Sequence, residues 1–215
     1  MGPEVALADR FKSGYLLASL VLFILMTPLF EATRIGHIVE DGLLSLVLLA
    51  TVYAASDNRR IRIIALALAI SAMFLVWANI ADPSTPGRLA GLTVYVVLNF
   101  AAIGMLLRRI VLAPAVTGEV FCAGISLYLL IGVNWALTYI LIDAIDPGTF
   151  ESLSLSFGKG GSEYLYFSFA TLTTLGYGDV SPDAPFGRIW AIMEAVTGVL
   201  YITILVARLV SLYRS

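Results

Sequence analysis

The sequence predicts an all-α membrane protein, with six transmembrane helices and, between the fifth and sixth, a short re-entrant helix followed by an irregular loop. Three observations predict it. Hydrophobic residues make up 60% of the 215 and charged residues 13%, with a mean hydropathy of +0.93, far from the composition of a soluble domain. Six stretches are long, apolar and almost free of charge, at 14–30, 42–56, 63–81, 89–107, 120–142 and 189–207; a bilayer core about 30 Å thick takes ~20 helical residues. A segment at 162–173 is helical in character, too short to span, and runs into Thr-Leu-Gly-Tyr-Gly. A buried helix of a water-soluble protein explains one such stretch and not six.

The first stretch follows Arg10 and Lys12, as a signal peptide would. Its apolar run exceeds the usual ~7–15 residues and no small-x-small cleavage site closes it, so it is read as a retained first helix. The second is short. Its helix is expected to begin near Ile35, drawing Glu40 and Asp41 toward the outer interface. Tight links, Asp57-Asn58-Arg59-Arg60 and Asp82-Pro83-Ser84-Thr85-Pro86-Gly87, carry turn chemistry, so residues 1–110 form one four-helix unit. Residues 111–215 form a second: an outer helix, a polar Gly/Ser-rich turret at 143–161, the short helix, the loop and an inner helix. Ser162 is expected to cap the short helix, with Glu163 in its first turn. Non-helical backbone at membrane depth is tolerated only where protein or water surrounds it, which makes this a re-entrant element.

Arg10, Lys12, Arg59, Arg60, Arg62, Arg108, Arg109, Arg208 and Arg214 fall on one side of this topology, and only Arg34, Arg88, Lys159 and Arg188 on the other. The positive-inside rule then makes both termini cytoplasmic. Acidic residues gather on the outer side, and Asp179 and Asp183 lie nearest the loop, where negative charge concentrates cations. Cys122 is the only cysteine and His37 the only histidine, so no intrachain disulfide forms and His37 is read as interfacial rather than metal-binding. With no nucleophile–base pair and no metal cluster, the chain is expected not to be an enzyme. No cofactor and no nucleic-acid partner is expected. Asn79 and Asn99 are expected to pair between helices, a contact worth ~0.6–2 kcal/mol.

Residues 171–179 read Thr-Leu-Thr-Thr-Leu-Gly-Tyr-Gly-Asp. Two glycines tolerate the backbone angles that turn successive carbonyls one way, and rings of such carbonyls from four subunits can replace the water shell of K⁺. The stretch resembles the selectivity filter of the tetrameric potassium channel superfamily, with Leu175 where Val is usual. From about Glu119 onward the chain is similar to the pore module of voltage-gated-like and two-helix bacterial potassium channels. Val180-Ser181-Pro182 matches the exit from the filter, Gly187-Arg188 the start of the inner helix, and Gly198 the hinge glycine. Tyr166-Phe167 stands where Trp-Trp is usual, and Ala170 where proton-gated relatives carry a carboxylate.

The resemblance implies a potassium-selective channel conducting K⁺ passively, built as a homotetramer among the lipids of the cell membrane. It places the ion sites at the carbonyls of Thr174, Leu175, Gly176 and Tyr177, with Gly178 completing the filter and the side chains of Leu175 and Tyr177 packed into the scaffold. Thr173, Tyr166 and Asp179 support the filter, Tyr166 donating to Asp179. Gly198 hinges the inner helix, and Val199, Ile202, Val206 and Val210 line an apolar cavity that could close by dewetting. The first four helices resemble a voltage-sensor domain in number and position only, because the fourth stretch carries no Lys or Arg and each gating charge supplies only ~2.3 kcal/mol per 100 mV. A non-selective cation channel would typically lose the filter's Tyr or a Gly. A secondary transporter would show repeats with two corresponding breaks.

Glu194 interrupts the last apolar stretch. A charged acid at the bilayer centre costs ~2.5 kcal/mol or more, so it is expected to have a polar partner. One residue off the cavity stripe, it turns sideways toward the pore helix, where Ser168, Thr171 and Thr173 offer hydroxyls. It is expected to brace the filter from the inner helix as Ala170 cannot from the pore helix; the alternative is contact with cavity water.

Overall fold

The computed structural model describes residues 12–30, 36–55, 58–78, 86–115, 117–150 and 161–213. They form helices α1 (Lys12–Phe30), α2 (Gly36–Ala55), α3 (Arg59–Ala78), α4 (Pro86–Val111), α5 (Gly118–Ile145), α6 (Gly161–Leu172) and α7 (Pro185–Tyr213), with no strand among the described residues. All but α6 are long and apolar enough to cross a membrane. The chain is an all-α, multi-pass membrane protein.

Local chemistry sets the ends. Pro86 opens α4, where its missing N–H is no loss, and Arg108 and Arg109 close it against the negative end of the helix dipole. Thr117 caps α5, its hydroxyl accepting from the Val120 amide at 3.3 Å, with Glu119 in the first turn. Helix α6 starts at Gly161, one residue earlier than expected, so Ser162 lies inside the first turn beside Glu163.

Helix α1 packs on α2 and α5, α3 on α4, α4 on α5, and α6 on α5 and α7. The first four helices therefore dock on α5 of their own chain through α1 and α4. Two glycines permit close approach. A Cβ on Gly91 would come 2.9 Å from the Ala72 carbonyl of α3, and one on Gly132 of α5 would come 2.7 Å from the Phe169 ring of α6. Helix α5 is the centre of the fold, with 67% of its apolar window buried; α7 has 17% and leaves most of its apolar surface uncovered by its own chain.

Polar contacts pin both ends of the four-helix unit. At one end Ser13 donates to Glu119 Oε1 through its amide (3.0 Å) and hydroxyl (2.7 Å), and Arg109 reaches the same carboxylate at 3.7 Å and the Ala54 carbonyl at 3.3 Å. The Lys12 ammonium sits over the Tyr53 ring, 5.5 Å from its centre. At the other end stands Asp41, in the first turns of α2. It is buried, and Arg88 donates to both its oxygens, at 2.8 and 3.0 Å, while Tyr95 donates to the Leu44 carbonyl at 3.0 Å.

Asn99 also differs from expectation. Its amide donates to the Tyr95 carbonyl of its own helix, at 3.1 Å, rather than to another helix, because back-bonding one turn away needs no partner helix. Asn79 lies outside the described residues.

Breaking a buried ion pair leaves one charge uncompensated, at a cost of about 3–5 kcal/mol. Arg88→Ala should therefore lower the thermal unfolding midpoint of the purified protein sharply. The double variant Asp41→Leu/Arg88→Leu, which removes both charges, should lie much closer to wild type.

Candidate functional site

The site begins where α6 ends. The amides after Leu172 turn back onto α6: Thr173 N–H donates to Phe169 O (3.0 Å), Thr174 to Thr171 O (3.0 Å), and Leu175 and Gly176 both to Ala170 O (2.9 and 3.3 Å). Every second residue of the loop has positive φ: Thr174 at 58°, Gly176 at 54° and Gly178 at 79°. An extended chain points successive carbonyls to opposite sides, and alternating the sign of φ works against that. Glycine adopts these angles freely. Thr174 is the only described non-glycine residue to do so, and for a β-branched side chain this is a strained conformation, costing about 1–3 kcal/mol.

The carbonyls of Thr174, Leu175, Gly176 and Tyr177 accept no hydrogen bond among the described residues. The donors from Thr173 to Gly176 are thus turned inward to α6 and the acceptors from Thr174 to Tyr177 left bare, on a stretch that is exposed from Thr173 to Asp179. Nearly all backbone polar groups of folded proteins are paired, so a strip of open acceptors calls for an electropositive partner.

Asp179 ends the strip. Tyr166 donates to its Oδ2 at 2.6 Å and the Val180 amide to its Oδ1 at 3.1 Å. The Tyr166 phenol is pushed up from an ordinary 10 to about 12, chiefly by that hydrogen bond to Asp179. Because the folded value is raised, the contact is intact below pH 10 and lost only as pH climbs through about 12. Tyr164 makes a parallel bond to Asp143 at 2.7 Å, and burial pushes its phenol up as well.

Other expected residues fall differently. The Thr173 hydroxyl turns back to Phe169 O at 2.7 Å. Leu175 and Tyr177 are 53% and 70% exposed: a single chain offers no scaffold on the far side of the loop to pack them. Val199, Ile202 and Val206 are exposed on α7, and the side chain of Val210 lies outside the described ones. Near the end of α7, Arg208 donates to the Ala113 carbonyl of the α4–α5 link at 2.5 Å.

Glu194 is completely buried. Its Oε1 lies 2.5 Å from Ser168 Oγ, and its Oε2 accepts from Tyr139 Oη at 2.5 Å. Of the three hydroxyls expected there, Ser168 alone meets it; Thr171 and Thr173 do not. Tyr139 was not foreseen, since α5 is apolar all round and no periodicity marks which side faces α7. Gly198 has a packing role: a Cβ there would fall on the carbonyl oxygen of Leu172, the last residue of α6. The bare backbone of α7 thus lies directly against the end of the short helix.

Residues 116–215 match a family described as ion channel. The matched range holds α5, α6, the loop and α7, and leaves the four preceding helices outside. No curated protein matches the chain. The C-terminal part is therefore similar to domains that let ions pass passively through a membrane, a class that is not enzymatic.

Forcing a Cβ into the Gly198 contact should cost about 1–3 kcal/mol through overpacking. Gly198→Ala, which a pure hinge would tolerate, should lower the thermal stability of the purified protein measurably.

Proposed function

We propose that the chain is one subunit of a potassium-selective channel, a homotetramer of the cell membrane with both termini cytoplasmic. The observation that carries this reading is the strip of unpaired carbonyls from Thr174 to Tyr177, with the amides of Thr174, Leu175 and Gly176 tied to α6 and its φ values alternating in sign. Four such strips around one axis supply rings of oxygens that replace the hydration shell of K⁺. Fourfold closure also supplies what one chain lacks: cover for Leu175 and Tyr177, and protein around irregular backbone at membrane depth.

In this assembly Thr174, Leu175, Gly176 and Tyr177 hold the ions, and Gly178 and Asp179 turn the chain out. Thr173 and Tyr166 support the loop from α6, and Gly198 sets the spacing of α6 and α7. Val199, Ile202, Val206 and Val210 line the vestibule below. The intact Gly176-Tyr177-Gly178 favours this over a non-selective cation pore, and one break in one helical hairpin among the described residues favours a channel over a transporter. Residues 1–110 act as a fixed frame for the pore domain at 111–215. The α4 span carries no charge between Arg88 and Arg108, and Arg88 and Arg109 are both held by partners, so steep voltage gating is not expected.

The purified chain in liposomes should pass K⁺ well over Na⁺ and exclude Cl⁻. Gly176→Ala puts a Cβ on a residue at φ 54°, a conformation that glycine alone adopts readily, and should abolish flux or its selectivity. Unaltered K⁺ preference in that variant would overturn the assignment of the loop.

A further inference from the structure

Glu194, Tyr139 and Ser168 are each fully buried and sit on α7, α5 and α6. Three oxygen–oxygen contacts link them: Tyr139 Oη to Glu194 Oε2 at 2.5 Å, Ser168 Oγ to Glu194 Oε1 at 2.5 Å, and Ser168 Oγ to Gly132 O at 2.7 Å. Each contact needs one hydrogen between its oxygens. Tyr139 and Ser168 bring one each, and a backbone carbonyl brings none. A carboxylate would leave two oxygens facing each other with no hydrogen between them. No Lys or Arg forms an ion pair with Glu194 among the described residues, and an isolated buried charge is very unfavourable.

We propose that Glu194 is a neutral carboxylic acid in a directional chain, in which Tyr139 donates to Glu194, Glu194 donates to Ser168 and Ser168 donates to Gly132, positioning α6 for the loop that follows. The inference rests on the potassium-filter reading for its functional consequence. Ser168 lies two residues before Ala170, whose carbonyl receives the amides of Leu175 and Gly176. A shift of α6 at Ser168 therefore moves the anchor of the carbonyl strip. Gly132 admits the Phe169 ring on the same face of α5, so the chain and the ring contact fix α6 in both depth and rotation. Glu194 acts through Ser168 and touches no ion: it is a positioning residue, and its shape and hydrogen bonding matter while its charge does not.

Two measurements on the full chain decide it. In the infrared difference spectrum between wild type and Glu194→Gln at neutral pH, the wild type should show the carbonyl band of a protonated acid that the variant lacks. Carboxylate bands in its place overturn the proposal whatever the protein conducts. In liposomes, Glu194→Gln, whose amide can accept from Tyr139 and donate to Ser168, should keep the K⁺ over Na⁺ permeability ratio within about threefold of wild type, and Glu194→Val, which orphans the buried Tyr139 donor, should lower it roughly tenfold or more. Parity of Glu194→Val with wild type, or a fall in Glu194→Gln as large as in Glu194→Val, overturns the positioning role. A wild type without K⁺ preference would refute the filter reading instead, and the infrared band would still decide the protonation of Glu194.

Discussion

Backbone amides near the end of α6 are satisfied and the carbonyls that follow them are not, and the rest of the C-terminal half is arranged around that imbalance. In a bilayer an unpaired backbone group costs several kcal/mol, so the stretch from Thr174 to Tyr177 persists only if something electropositive meets its oxygens. Ala170 O takes the amides of both Leu175 and Gly176. That double acceptance bends the chain out of helix and frees the carbonyls together, while the positive φ at Thr174, Gly176 and Gly178 keeps them from alternating as in a strand.

Holding that loop requires α6 to be placed accurately. Two missing side chains and two hydroxyls do most of the placing. Gly132 leaves room for Phe169, and Gly198 lets α7 press on the Leu172 carbonyl. Ser168 and Tyr139 close on Glu194 from the other two helices. Tyr166 then ties the exit of the loop to α6 through Asp179. The first four helices carry an ion pair at each end, Asp41 with Arg88 and Arg109 with Glu119, and Glu119 is the second residue of α5.

Much of this was legible in the sequence. Hydropathy marks six spans because lipid imposes the same demand on every helix, and the α2 start near residue 35 follows from length alone. The loop was visible because its glycines answer to backbone angles, which are local. Residues whose role depends on another helix were harder to read. The pairing of Asp41 with Arg88 is not legible in the sequence because no local signal links positions 47 residues apart. Asn99 was assigned across helices and bonds within its own. Tyr139 and the packing contact of Gly198 have no signal in the sequence, since both depend on how closely α7 approaches its neighbours. Leu175 and Tyr177 are exposed because no described part of this chain lies on the far side of the loop to pack them.

Anomalous diffraction from crystals grown in Rb⁺, a K⁺ analogue that scatters strongly, tests the central claim most directly. The account predicts Rb⁺ on a fourfold axis, in sites between successive rings formed by the Thr174, Leu175, Gly176 and Tyr177 carbonyls of four chains. It is contradicted if those carbonyls are hydrogen-bonded to protein, or if ordered crystals place no cation within coordinating distance of them.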